Sequence, residues 1–311
     1  LLEDLHTGNR AAVRVGGQVG PEFAVTAGVR QGCVIAPLLF NVFLDHVIRK
    51  ALARMPAGCG VQVRESPLFK RGDLSRIAQV VLLMYADDMV LVSHSPRQLA
   101  EMLVMVDVVA SEYGMKINAS KTEIQVHDLG WAVQAELPDV TLSTGAVKYC
   151  DDFKYLGSWF QADGSVLKEL AVRRGVALGV FGSFQRVWAD KKLRLATKVA
   201  VYNSFILPHY SYGCEGWNCT VTQLDTLEAA HMACLRRIVG VSLYDRHRNS
   251  EIHRMCGTRP LKEMIRGRVL QWAGHVMRMP PERPPAAVFD CTVPCISVYV
   301  TVPVGKLRAK E

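Results

Sequence analysis

Apolar residues gather in short runs broken by polar turns, and the runs carry two different periods. Val80-Val81-Leu82-Leu83-Met84 and Met89-Val90-Leu91-Val92 flank Tyr85-Ala86-Asp87-Asp88. Runs this short and this rich in Val and Leu predict two strands, with the aspartates at the connection of a tight hairpin. From Ala11 to Thr26, Val13, Val15 and Val19 alternate with Arg14 and Gln18 and are broken by Gly16-Gly17 and Gly20-Pro21. That predicts a short hairpin of half-buried strands. A helical period starts at Pro37, with Leu39, Phe43 and Val47 on one face and Phe40, Leu44 and Ile48 beside them. Gly28-Val29-Arg30-Gln31-Gly32-Cys33 leads into it as a glycine-flanked loop, and a second helix is expected from near Pro96.

Helical periodicity dominates the second half. Asp163-Gly164-Ser165 is expected to cap a helix running through Val166 and Leu170 to Trp188, with Arg173, Arg174 and Arg186 on its polar side. A further helix from Lys192 to Ile206 should end near Pro208.

The aspartate pair carries the sharpest chemistry. Adjacent carboxylates repel, raising their own pKa values in the absence of cations, whereas bound divalent metal offsets the repulsion. Asp also tolerates turn geometry, so the dipeptide by itself leaves a metal site and a plain solvated turn both open.

Composition narrows the setting. A chain of 311 residues, half of them apolar, suits two or three packed units. Lys and Arg number 37 against 29 Asp and Glu, a net charge of +8 that suits a polyanionic partner. No apolar stretch reaches the roughly 18–20 residues of a membrane helix, and Glu3, Asp4, His6 and Arg10 do not form a signal peptide. Nine cysteines without a repeated short spacing predict free thiols in a reducing compartment, hence an intracellular protein. The opening Leu1 to Arg10 reads as the last turns of a helix that begins upstream, as in a fragment.

Four segments in order resemble the reverse transcriptase of non-LTR, LINE-like retrotransposons. They are Gly28-Val-Arg-Gln-Gly-Cys33 with Ala36-Pro-Leu-Leu-Phe-Asn41, Tyr85-Ala-Asp-Asp88, Tyr113-Gly-Met-Lys-Ile-Asn-Ala-Ser-Lys-Thr-Glu123, and Phe153-Lys-Tyr-Leu-Gly-Ser158. Likeness continues through Ile206 to Glu215, Cys234 to Gly240, Asp245 to Asn249 and Trp272 to Arg278, so that it covers the chain to about Arg283. Pro284 to Glu311 has no counterpart.

The resemblance implies an α+β fold: a polymerase palm with a small antiparallel sheet and helices, then an all-helical thumb and a basic helical C-terminal region. Residues 1–160 would be partial fingers and palm, 161–235 the thumb, 236–283 the basic region and 284–311 a divergent tail. Asp87 and Asp88 would be catalytic and hold Mg2+ or Mn2+. Gly28, Gln31, Gly32, Tyr85 and Lys121 would contact nucleotide or template, and Tyr155, Leu156 and Gly157 would grip the primer. Partners would be an RNA template, a DNA primer and deoxynucleoside triphosphates, without a membrane, and an active element would act in the nucleus.

One departure matters. The family's third metal-binding carboxylate lies upstream of the Gly28 loop by more residues than stand before it here, and Asp4 sits in the wrong context. Two readings follow: a polymerase fragment inactive alone, or a non-catalytic nucleic-acid-binding remnant. Without the upstream strand, the sheet position beside the aspartate hairpin would be an open, aggregation-prone edge.

Residues 231–283 hold eleven Lys or Arg against four acids, most of the net charge, which makes phosphate contact plausible there. Cys214, Cys219, His231 and Cys234 have spacings that fit no tight zinc knuckle and read as core residues. His275 likewise reads as a packed or capping histidine.

Overall fold

The computed structural model describes residues 7–25, 28–29, 32–65, 77–127, 137–280, 283, 285–286, 291–292 and 298–305. Leu1 to His6, Arg30 and Gln31 lie outside them, so the expected contact of Gln31 is not described, and the part of the expected opening helix that is described, Thr7 to Arg10, is a turn leading into a strand instead.

The described chain mixes helices with small sheets. It begins with β1 (Arg10–Ala11), β2 (Arg14–Val15), β3 (Gln18–Val19), β4 (Phe23–Ala24), α1 (Ala36–Arg54), β5 (Val61–Glu65) and β6 (Ile77–Val80). Next come β7 (Leu82–Tyr85), β8 (Asp88–Ser93), α2 (Pro96–Glu112), β9 (Lys116–Ile117), a 3-10 turn (Ala119–Lys121) and β10 (Glu123–Val126). They are followed by β11 (Thr141–Leu142), β12 (Gly145–Ala146), β13 (Lys148–Tyr149), β14 (Asp152–Tyr155) and β15 (Ser158–Gln161). Helices α3 (Leu167–Ser183), α4 (Gln185–Ala189), α5 (Leu195–Phe205), α6 (Leu207–Tyr210), α7 (Val221–Val239), α8 (Asn249–Cys256) and α9 (Leu261–Met277) succeed them. Strands β16 (Cys291–Thr292) and β17 (Val298–Gly305) close the chain.

Two compact units divide these elements: residues 1–62, 79–150 and 294–311 form one, and 63–78 with 151–293 form the other. The first is built on a sheet of order β13-β10-β17-β8-β7, with β9 also paired to β17. Its pairings are antiparallel except for β10 with β13. Helices α1 and α2 form as their apolar periods predict. Leu44, Val47, Ile48 and Ala51 of α1 join Leu99, Met102, Leu103, Val106 and Val109 of α2 in one core with Met89, Leu91, Ile117 and Ile124 from the strands. Each large side chain buried this way contributes about 1.5–3 kcal/mol. Ser95 caps α2 ahead of Pro96, its hydroxyl accepting from the Gln98 N–H. Asp107 is buried on α2 but satisfied, accepting from the Ser143 N–H at 2.7 Å and the Ser143 hydroxyl at 3.0 Å.

The early hairpin differs from expectation. β2 pairs with β3 and β1 with β4, but Val13, Val15 and Val19 are 60%, 74% and 59% exposed. Strands of two residues offer too little apolar face to hold a covering layer.

The β8 side of the aspartate hairpin is not open, contrary to the sequence reading, whereas β7 on its other side ends the sheet order among the described residues. β17, from the divergent tail, pairs with β8 over six positions from Val298↔Ser93 to Pro303↔Asp88, and with β10 on its other side. An alternating Val-rich segment free of charge is suited to a central strand, and pairing there satisfies backbone groups of both neighbours.

In the second unit, Leu170, Phe181, Trp188, Tyr202, Tyr210, Leu227, Leu235, Ile252 and Ile265 belong to one core, so the helices on either side of residue 235 share it. Phe181 stacks on Trp188 at 4.9 Å between ring centroids. The expected cap of α3 is different in detail. Asp163 accepts from the Ser165 N–H in a local turn, and the Lys168 N–H is met instead by Gln161 Oε1 at 2.7 Å. The helix also breaks at Phe184 into α3 and α4. Among the described residues, no helix is long and apolar enough to cross a membrane.

Candidate active site

Tyr85-Ala86-Asp87-Asp88 forms the hairpin that its flanking runs predict. Tyr85 pairs with Asp88 to close a two-residue turn, and the ladder continues through Met84↔Met89, Leu83↔Val90 and Leu82↔Leu91. Ala86 takes a left-handed φ of +54°, which costs an L-residue about 1–2 kcal/mol. Met89 and Leu91, both fully buried, anchor β8 in the core and hold the turn at the end of the sheet.

Asp87 is exposed and Asp88 half-buried. The Asp88 carboxyl is held above its ordinary range, first because burial desolvates it and second because the charge of Asp87 stands beside it. An external cation would offset this repulsion. Among the described residues, the one grouping of three or more close potential metal ligands lies elsewhere, so no third carboxylate joins this pair. β17, which runs beside β8, contains no acidic residue from Val298 to Gly305.

Lys121 ends the 3-10 turn just before β10 and is exposed. Glu123 stands opposite Thr301, and Pro303, two residues further along β17, stands opposite Asp88. Antiparallel register therefore carries the Lys121 turn toward the same end of the sheet as the aspartates, two strands away at about 5 Å per strand. Asn118 shapes this turn by accepting from the Ser120 N–H at 3.1 Å, and Thr144 accepts from the Ala119 N–H at 3.0 Å. Gly28 and Gly32 take φ of +88° and +87°, and a Cβ at either would meet nothing within 4 Å. Backbone conformation is the reason for glycine at both.

The Tyr155-Leu156-Gly157 turn belongs to the second unit. β14 pairs with β15 and closes at Tyr155↔Ser158, with Leu156 and Gly157 both left-handed at +47° and +85°. A brace that sequence reasoning missed holds it. Tyr212 donates its hydroxyl to the Leu156 carbonyl at 2.8 Å, Arg173 donates to the Gly157 carbonyl, and the Arg173 guanidinium lies over the Tyr212 ring at 4.6 Å. Glu169, 1% exposed, receives Arg173 at 2.6 Å and the Trp159 N–H at 2.8 Å. Arg173 is therefore a buried structural residue, not part of a polar face. The Glu169/Arg173 spacing of four was visible in the sequence; the arrival of Tyr212 was not.

Several of the basic residues expected to meet phosphate also serve the fold. Arg236 donates to Asn249 Oδ1 at 2.6 Å, Arg268 to Ser211, and Lys262 pairs with Asp225 at 3.0 Å. Arg237, Arg246, Arg248, Arg254, Arg259, Arg266 and Arg278 are exposed. Cys214 and Cys234 are core thiols, as expected, raised in pKa by burial, with Cys214 pushed up to about 11. His275 is exposed, its ring against Trp272 at 5.6 Å.

The model of the family described as reverse transcriptase (RNA-dependent DNA polymerase) matches residues 4–160, half of the chain. The chain belongs to the reverse transcriptase family. A transposon-derived protein of Caenorhabditis elegans is 29% identical to it over 204 residues, covering 63% of this chain and 71% of that one. The RNA-directed DNA polymerase from mobile element jockey of Drosophila melanogaster is 25% identical over 237 residues, covering 73% and 23%. The Pol polyprotein from retrotransposable element R2 of Nasonia vitripennis is 24% identical over 194 residues, covering 59% and 16%. This reverse transcriptase chain is thus of the non-LTR retrotransposon kind, and it spans about a quarter or less of these two polymerase relatives.

Proposed function

We propose that the chain carries the palm and thumb of an RNA-directed DNA polymerase, and that these 311 residues alone extend a primer poorly or not at all. The observation that carries the site is the Asp87-Asp88 turn, whose two adjacent carboxylates, one with a raised pKa, fit a hard divalent cation. Magnesium or manganese bound there would activate a primer 3′ hydroxyl and neutralise departing pyrophosphate. Asp87 and Asp88 supply the oxygen ligands, and Lys121 meets nucleotide phosphates. Tyr85 and the Gly28-Gly32 loop border the nucleotide and template, and Tyr155, Leu156 and Gly157 hold the primer end. RNA template, DNA primer and deoxynucleoside triphosphates are the partners.

β17 underlies the expected inactivity. A strand without a carboxylate beside β8 leaves the metal two protein ligands from the turn, and this chemistry depends almost wholly on positioning and charge. The same observation favours the second reading, in which these residues bind template and primer without turnover. Extension of a DNA primer on an RNA template, with magnesium or manganese, tests both readings. Binding without extension is the expected result. Strong metal-dependent extension that Asp87→Ala abolishes would overturn the inactivity, and absence of both metal and template-primer binding would overturn the polymerase site.

A further inference from the structure

We propose that Glu228, His231 and His253 form a structural zinc site that ties α7 to α8, distinct from the aspartate turn. Their potential ligand atoms all lie within 4.8 Å of one another, and the three residues are 8%, 1% and 7% exposed. Tetrahedral zinc with bonds of about 2.0–2.1 Å sets ligand atoms about 3.3 Å apart, so small side-chain rotations would bring the three protein ligands into place, with a water in the fourth position. His253 Nε2 already stands 3.3 Å from Glu228 Oε1.

Two independent features point to a ligand. His231 Nε2 is buried without any hydrogen-bond partner, a condition native interiors rarely leave uncompensated. Each residue is also held by its other polar atom. His231 Nδ1 lies 2.7 Å from the Tyr202 hydroxyl, His253 Nδ1 lies 3.0 Å from Thr258 Oγ1, and Glu228 Oε2 accepts from the Lys262 N–H at 3.1 Å. Outer contacts of this kind orient the rings and, with each hydroxyl accepting from Nδ1–H, leave Nε2 of both imidazoles facing inward, as in zinc sites. The two rings stack at 5.8 Å with 26° between planes. Two imidazoles and one carboxylate suit zinc over magnesium or calcium.

A hydrogen-bonded histidine pair that holds no metal is the competing account. It leaves His231 Nε2 orphaned and asks nothing of the outer contacts. The full chain, stripped with chelator and then equilibrated with zinc, should retain one equivalent against a chromophoric competitor and melt at a higher temperature. Cobalt in its place should give a tetrahedral spectrum without the thiolate charge-transfer band. Glu228→Gln keeps the shape of the side chain, and Thr258→Val removes only an outer contact; both should weaken zinc affinity about tenfold or more while the far-ultraviolet spectrum stays unchanged. Substoichiometric zinc in the parent chain, affinity untouched in both variants, or a cobalt-thiolate band would each overturn the assignment. Primer extension and metal binding at the aspartate turn are separate readouts, so neither outcome here decides the other.

Discussion

At the scale of residues, strained and buried positions carry the sharpest expectations. Asp88 is desolvated next to Asp87, so its charge opposes folding when no cation is present. Asp88→Asn should leave the melting temperature in chelator unchanged or higher, and should remove any stabilisation by manganese. A lower melting temperature in chelator would show that the charge is already compensated. Arg173→Met tests the brace beneath the Leu156-Gly157 turn. It strands Glu169, 1% exposed, without its cation and leaves the Gly157 carbonyl without its donor. Breaking a buried pair from one side costs about 3–5 kcal/mol, read by urea unfolding. A loss below about 1 kcal/mol, the worth of a surface pair, would mean that the pair is solvated. Gly213 has φ of +70°, and a Cβ there would stand 2.7 Å from Ser158 Oγ. Gly213→Ala should therefore destabilise by about 1–3 kcal/mol, and Ser158→Gly in the same chain should recover only the steric part.

Among elements, β17 decides the fate of the first unit's sheet. It separates β8 from β10 and pairs with both, so its removal turns two interior strands into edges. A chain ending at Val293 should aggregate, seen as light scattering on refolding, and Lys placed at Val90 and Val92 should not be tolerated as edge protection because both are buried. A truncated chain that stays monomeric with an unchanged melting curve would refute the role of this strand. The sequence showed β7, β8, α1 and α2 clearly, because Val and Leu runs and a 3.6-residue period are local signals. It did not show where β17 goes. Strand partners separated by some two hundred residues are chosen by backbone pairing and shared core, which no local pattern encodes.

For the whole molecule, the basic excess sets long-range behaviour. Exposed Arg254 and Arg266 belong to the segment holding most of the net charge of +8. If they meet phosphates, Arg254→Ala with Arg266→Ala should reduce the slope of log affinity against log salt by about 0.9 per contact for a duplex. An unchanged slope would assign them to an ordinary solvated face.

The aspartate turn, its order among the other motifs and the family were legible in the residues, since short Val- and Leu-rich runs around a polar turn and the ordered motifs are read locally. Glu228 and His231, three apart on one helix, were visible as a pair, but His253 lies on another helix and Tyr212 reaches the Leu156 turn across 56 residues. Local sequence dictated elements and the turn that carries the aspartates, because turn chemistry and periodicity act over a few residues. Tertiary structure alone decided which strand borders the aspartates, which arginine is buried and which histidines converge, because those depend on packing between distant segments.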